Sequence, residues 1–166
     1  MQIFVTELFA ESAKEAGIND LQPLVDEFRW WKQTWDPKKG SLGAWEGGAT
    51  CREFASTFFG KDGANRTPLV EGMSYALRHV HLPPIDDDES EQWMRYHELG
   101  KRKTSDCFLM YASDRYYKHV LLYVLPEPEA HAVVAMKTKE DRELMEWMAE
   151  EAARFLDGDM SAIQVA

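Results

Sequence analysis

The chain has 166 residues, with 19 lysines and arginines against 29 aspartates and glutamates, a formal charge of −10 and a hydrophobic fraction of 45%. One domain, residues 1–166, can bury a core at this length without disulfides or metals, and apolar runs such as Val120–Leu125 are too short to cross a bilayer. The acidity excludes a protein that coats nucleic acid through a broad basic surface, because phosphate binding relies on Lys and Arg displacing condensed counterions.

Met1–Leu8 alternates and carries Glu7, without the basic start and unbroken apolar stretch of a secretory signal, so a cytoplasmic protein with no membrane partner is expected. Within it, Gln2–Thr6 reads as a first strand. Glu7–Ala16 is helix-permissive and stops at Gly17, which takes the left-handed conformation without steric cost. A second helix follows, with Asp20 as N-cap, Pro23 in the first turn and an apolar stripe of Leu21, Leu24, Val25, Phe28 and Trp31, ending near Trp35. Asp36–Thr50 holds a proline and four glycines with no apolar period and reads as a loop; Trp45 could pin it to the body. A short element around Cys51–Phe58 is expected next, then a turn-rich connection over Gly60–Pro68.

Tyr75–Leu82 alternates as a strand stopped by Pro83 and Pro84. The run Ile85–Gln92 carries five acids and no base and is expected to be solvated. Ser105–Ala112 and Lys118–Leu125 are the next strands, and their short link predicts an antiparallel hairpin. Glu140–Phe155 spaces Leu144, Trp147, Met148, Ala152 and Phe155 as a helix that covers the sheet. The predicted class is therefore α+β, with N-terminal helices packed on a roughly four-stranded antiparallel sheet and a closing C-terminal helix. Cys51 and Cys107 match neither a zinc nor a redox spacing and read as core residues.

The charge is unevenly spread. Ile85–Gln92 and Lys139–Asp159 hold the whole acidic excess, whereas Trp93–Val120 carries six bases against three acids, so a local basic surface is compatible with the acidic whole. Lys101, Arg102 and Lys103 precede Thr104, Ser105 and Asp106, a set of cations and small donors suited to successive phosphate oxygens. Standing alone, it reads first as a solvated turn before a strand. Arg115 and Lys118 add charge at the hairpin, and His131 follows the last strand. His79 and His81, two apart on a strand, project from one face, outward if Val80 and Leu82 face the core. They read as partly exposed histidines satisfied by hydrogen bonds, or as two zinc ligands without an evident third.

Several segments, in order, resemble the YafO-type toxins of bacterial type II toxin–antitoxin pairs: MQIFVTEL at the start, Phe59–Asp62 (FGKD), Pro68–Leu69, His79–Leu82 (HVHL), Lys103–Tyr111 (KTSDCFLMY), Leu125–His131 (LPEPEAH) and Met148–Phe155 (MAEEAARF). The resemblance implies a RelE-like fold, with helices against one side of a four-stranded antiparallel sheet. It also implies cofactor-free, metal-independent endoribonuclease activity on messenger RNA at the ribosome, and an antitoxin partner. On that reading His79, His81, Lys103, Asp106 and His131 are the catalytic candidates, with Lys101, Arg102, Thr104, Arg115 and Lys118 binding RNA. Two other classes stay open. One is a non-catalytic binding module using the aromatic helix Phe28–Trp35, and the other a metal-dependent hydrolase built on His79 and His81.

Overall fold

The computed structural model describes residues 1–33, 56–70, 72, 77–114, 118–159 and 164–165. In chain order it contains β1 (Gln2–Val5), α1 (Glu7–Glu15), α2 (Leu21–Gln33), β2 (Asp62–Ala64), β3 (Leu77–His81), α3 (Asp87–Glu98), β4 (Phe108–Ser113), β5 (Lys118–Leu125), α4 (Ala130–Val134), α5 (Lys139–Asp157) and β6 (Gln164–Val165). The described strands form one sheet in the order β2-β3-β4-β5-β1-β6. The α+β class read from the sequence holds. Its four longer strands, β3-β4-β5-β1, carry a short strand at either edge, and β1 lies parallel to β5, with Phe4 opposite Val120. All other neighbours are antiparallel, including the β4–β5 hairpin.

Local chemistry explains most boundaries. The Thr6 hydroxyl accepts from the Phe9 amide at 3.1 Å and so caps α1, while donating to the Leu122 carbonyl at 2.8 Å, which ties that cap to β5. Gly17, at φ +79°, ends the turn after α1. The Asp20 carboxylate accepts from the Gln22 amide at the start of α2. Thr138 and Asp141 form a reciprocal capping box on α5, which closes on Gly158 at φ +84°. Four elements, α3, β2, α4 and β6, are absent from the sequence reading, although the acidic run is exposed as expected. The acidic run is the first turn of a helix, because Asp86 caps the amides of Asp88 and Glu89 and the following acids face the positive end of α3. Within Gly60–Pro68, the residues Asp62–Ala64 form β2, whose register, with Gly63 opposite His79, comes from pairing with β3 rather than from its own propensity.

Helices cover both faces of the sheet, not one as the resemblance implied. On one face Ile3, Val80, Leu109, Tyr111, Leu121 and Val124 pack with Phe9, Phe28 and Trp31 from α1 and α2. On the other, Phe4, Phe108, Met110, Val120, Leu122 and Leu125 pack with Met145, Met148, Ala152 and Phe155 from α5. Such side chains contribute roughly 1.5–3 kcal/mol each when fully buried. An irregularity in the β4–β5 register at Met110/Tyr111 changes the parity of β5, so Val124 and Leu125 still reach their proper faces.

Beneath α2 lies a buried polar knot that binds β2, β3 and β4 together. The Tyr111 hydroxyl donates to Asp62 at 2.7 Å and accepts from Lys32 at 2.6 Å and Arg78 at 3.0 Å, and Arg78 also donates to Asp62 at 3.0 Å. Burial holds the Tyr111 phenol well above its ordinary range, so it remains a donor. The Lys32 ammonium sits 4.2 Å from the Trp31 and Tyr111 ring centroids. The knot fixes β2 against β3, and with it the opposite face of both strands.

Candidate functional site

That opposite face carries the histidines. Alternation along β3 sends Val80 and Leu82 into the core under α1 and α2, leaving His79 and His81 on the other side, opposite Met110 and Phe108 of β4. The Phe108 ring is the floor: His79 stacks on it at 4.8 Å between centroids and 24° between planes, and His81 meets it edge-on at 4.5 Å. His131, entering from the first turn of α4, meets the same ring at 4.7 Å. The His81 centroid lies 5.7 Å from that of His79 and 5.8 Å from that of His131. Residues 52 positions apart are thus brought to one spot because β3 and β5 end, and β4 begins, at the same end of the sheet.

Each ring is held by a different partner. His131 is exposed, and one oxygen of Asp106 takes its backbone N–H at 2.7 Å and lies 2.6 Å from its Nδ1, leaving Nε2 as the ring nitrogen not engaged by Asp106. His79 Nδ1 lies 2.7 Å from Asn65 Oδ1. His81 Nδ1 lies 2.8 Å from the carbonyl oxygen and 2.9 Å from the amide nitrogen of Ser105, so the backbone entering β4 orients the ring in either tautomer. Burial lowers His79 to about 4 and His81 to about 3, so both are neutral at physiological pH. The Lys61 charge pushes both in the same direction, which places this lysine beside the pair; two residues before Gly63, it lies on the same face by the β2–β3 register.

His79 and His81 do not both look outward as the alternation suggested. His79 is half-buried and His81 is only 2% exposed, because the Ser105 backbone, the Phe108 ring and His131 at the start of α4 close around it. Asp106 joins the cluster through His131. Lys103 is 1% exposed; its ammonium donates to the Ser56 carbonyl, lies 3.4 Å from His97 Nδ1 and sits over the Trp93 ring. It works as an internal tie between the Ser56 segment and α3, not as a cation open to phosphate. Thr104 is exposed, and Lys101 is exposed beside Tyr96; Arg102 is half-buried. Lys118 begins β5, whose other end, Leu125, is the one paired with Phe108. That puts Lys118 on the order of 20 Å from the imidazoles at strand rise, and the structure does not bring it to them. Arg115, the Asp36–Thr50 loop with Trp45, the helix end near Trp35 and Cys51 lie outside the described residues. Cys107 is buried, and burial pushes its thiol up to about 12, which suits the core role expected of it.

Three participants were missed in the sequence. Lys61 was quoted only as part of FGKD, Asn65 was absorbed into a turn-rich stretch, and Gly63 gave no chemical signal. Yet a Cβ at Gly63 would meet His79 Cε1 at 2.9 Å and Nε2 at 3.0 Å, so glycine is what lets this imidazole lie against β2. The only signal available was the alternation Lys61, Gly63, Asn65, invisible until β2 is known to be a strand. Among the described residues no group of three or more His, Cys, Asp and Glu is arranged to hold a metal.

Fold and site together define a small α+β protein with an imidazole cluster at one end of a mixed sheet. The chain belongs to the YafO toxin family: residues 30–157, from within α2 to the last residue of α5, match the family described as toxin YafO of type II toxin–antitoxin systems. That stretch contains the whole site, and membership in such a system brings a cognate antitoxin as partner. No curated protein and no solved structure matches the chain. Among the described residues no helix is long and apolar enough to cross a membrane.

Proposed function

We propose that this toxin is a cytoplasmic endoribonuclease that cuts messenger RNA on the ribosome without a metal cofactor and thereby blocks translation. Cutting RNA by this route requires a base to take the 2′-hydroxyl proton, positive charge for the developing phosphorane, and an acid for the departing 5′-oxygen. One observation carries the reading: His79, His81 and His131 surround a single Phe108 ring, with Asp106 on one side and Lys61 on the other. Imidazole is the side chain best matched to proton transfer near neutrality. Lys61 takes the charge-stabilising role first sought in Lys103, and Lys101 and Arg102 contact the flanking backbone.

The ribosome enters through the charge. With a formal −10 and acids concentrated on α3 and α5, the protein gains little from counterion release on free RNA. A substrate already held and extended by another body removes that requirement, and the acidic α5 then faces away from ribosomal RNA. The antitoxin, in turn, acts by covering the imidazole end of the sheet.

The test is to induce the wild type and alanine variants of His79, His81 and His131, and map messenger RNA ends in cells and in a purified translation mixture with and without EDTA. Ribosome-dependent ends unaffected by the chelator, and reduced on the order of 10²-fold in the His79 and His131 variants, are the expected result. Full growth inhibition by all three variants would sink the proposal in favour of a binding module. EDTA sensitivity would favour a metal-dependent hydrolase instead.

A further inference from the structure

The two outer ends of the cluster are built differently, and the difference divides the labour between them. Asn65, only 4% exposed, turns its amide oxygen to His79 Nδ1 at 2.7 Å, while its own Nδ2 is buried with no hydrogen-bond partner among the described residues. A buried amide nitrogen left unpaired is costly, so an arrangement that keeps it points to a purpose for the oxygen. An amide oxygen only accepts, which puts the ring proton of neutral His79 on Nδ1 and a lone pair on Nε2. At the other end, the Asp106 carboxylate takes Nδ1–H of His131 in either charge state of that ring, so a proton to be delivered to substrate sits on Nε2.

Resting on the nuclease reading above, we propose that His79 is the general base and His131 the general acid, with Asn65 the positioning residue that selects the base tautomer of His79. In the reaction, His79 Nε2 takes the 2′-hydroxyl proton as the 2′-oxygen bonds to phosphorus. The bond from phosphorus to the 5′-oxygen breaks, and that oxygen takes the proton from His131 Nε2. The products are a 2′,3′-cyclic phosphate and a 5′-hydroxyl end, with the proton count balanced and no oxidant or metal required. His81, sealed between the two, is the spacer that holds them apart.

The tautomer can be read without any activity. In long-range proton–nitrogen correlation spectra of the full ¹⁵N-labelled chain, the His79 ring, assigned with the H79Q variant, should show a protonated Nδ1 and an unprotonated Nε2. N65L should lose that preference. N65D, whose oxygens can only accept from a neutral ring, should keep it and raise the His79 titration midpoint. The other charged or titratable groups around this ring, Asp62 and Lys61 from the β2 segment, Arg78 and His81 from β3 and His131 from α4, remain unchanged in both variants. In cleavage, N65L should lose on the order of 10²-fold in kcat with little change in KM. N65D should recover most of that rate, with the acid limb of its pH profile moved upward.

A messenger RNA with sulfur replacing the bridging 5′-oxygen at a mapped cut site separates acid from base, because thiolate departs without a proton. His131→Ala should regain near-wild-type cleavage on this substrate, and His79→Ala should not. The opposite rescue pattern, an Nε2–H tautomer in the wild type, or N65D collapsing like N65L overturns the assignment. A wild-type protein with the expected spectrum that leaves ribosome-bound RNA intact overturns the nuclease reading itself.

Discussion

Gly63→Ala isolates the site from the fold, because it adds one methyl group where only His79 stands in the way. The new Cβ would lie 2.9 Å from Cε1 and 3.0 Å from Nε2, about 0.5 Å inside the 3.4 Å at which ordinary contact begins. The ring cannot simply swing aside. It is tied to Asn65 at 2.7 Å and stacked on Phe108, and the strand opposite is pinned by the Asp62–Tyr111 knot. A displacement of this size stretches or breaks the Asn65 bond and moves Nε2 off line. If about 1 Å of misplacement costs on the order of 10²-fold in rate, half of that costs about 10-fold, more if the tautomer is released. Stability should move little. Alanine in a strand gains about 0.5–1 kcal/mol over glycine, and a lost neutral hydrogen bond removes about 0.5–1.5 kcal/mol, so the two nearly cancel and Tm should shift by no more than about 4 °C. The assay is messenger RNA cleavage by purified protein with ribosomes, set beside a thermal melt of the same sample. Undiminished cleavage with an unmoved His79 resonance, or an activity loss matched by unfolding, would refute the argument.

Tyr111→Phe should do the reverse. It removes the hydroxyl shared by Asp62, Lys32 and Arg78, leaving buried charged groups a partner short, at about 2–4 kcal/mol; a chain of this size should then melt roughly 5–15 °C lower. A Tm within about 2 °C of wild type would show that the knot holds little. Stability should also depend on pH through the histidines. His79 and His81 titrate at about 4 and about 3 in the folded chain against about 6.5 unfolded, so below about 6.5 the unfolded chain binds more protons. Their contribution is fully present above that pH and declines as pH falls toward 3. Urea unfolding between pH 7.5 and 5 should weaken with acid, with a shallower slope in His81→Gln; an identical slope would assign the acid sensitivity to other groups.

Much of this fold was written in local pattern. The stripe Leu24, Val25, Phe28, Trp31 set the buried side of α2, and the alternation His79–Leu82 set which residues of β3 share a face. The spacing from Leu144 to Phe155 drew α5, because each signal depends only on neighbours three, four or two residues away. The family resemblance, resting on the order of several short segments, identified the same family that residues 30–157 match.

Pairing decided the rest. Nothing in Asp62-Gly63-Ala64 marks a strand until β3 lies beside it, and only then do Lys61 and Asn65 acquire a place near His79. The parallel seating of β1 on β5 and the helices on both faces depend on contacts between residues more than a hundred positions apart. His81 is enclosed rather than exposed because Ser105, Phe108 and His131 reach it from later in the chain. Lys103 shows the limit most plainly. In the sequence it is one of three cations before a strand, and only packing against Ser56 and Trp93 turns its charge inward. A residue's chemistry can be read from its type, but whether that chemistry meets a substrate or the protein's own backbone depends on distant chain arriving beside it.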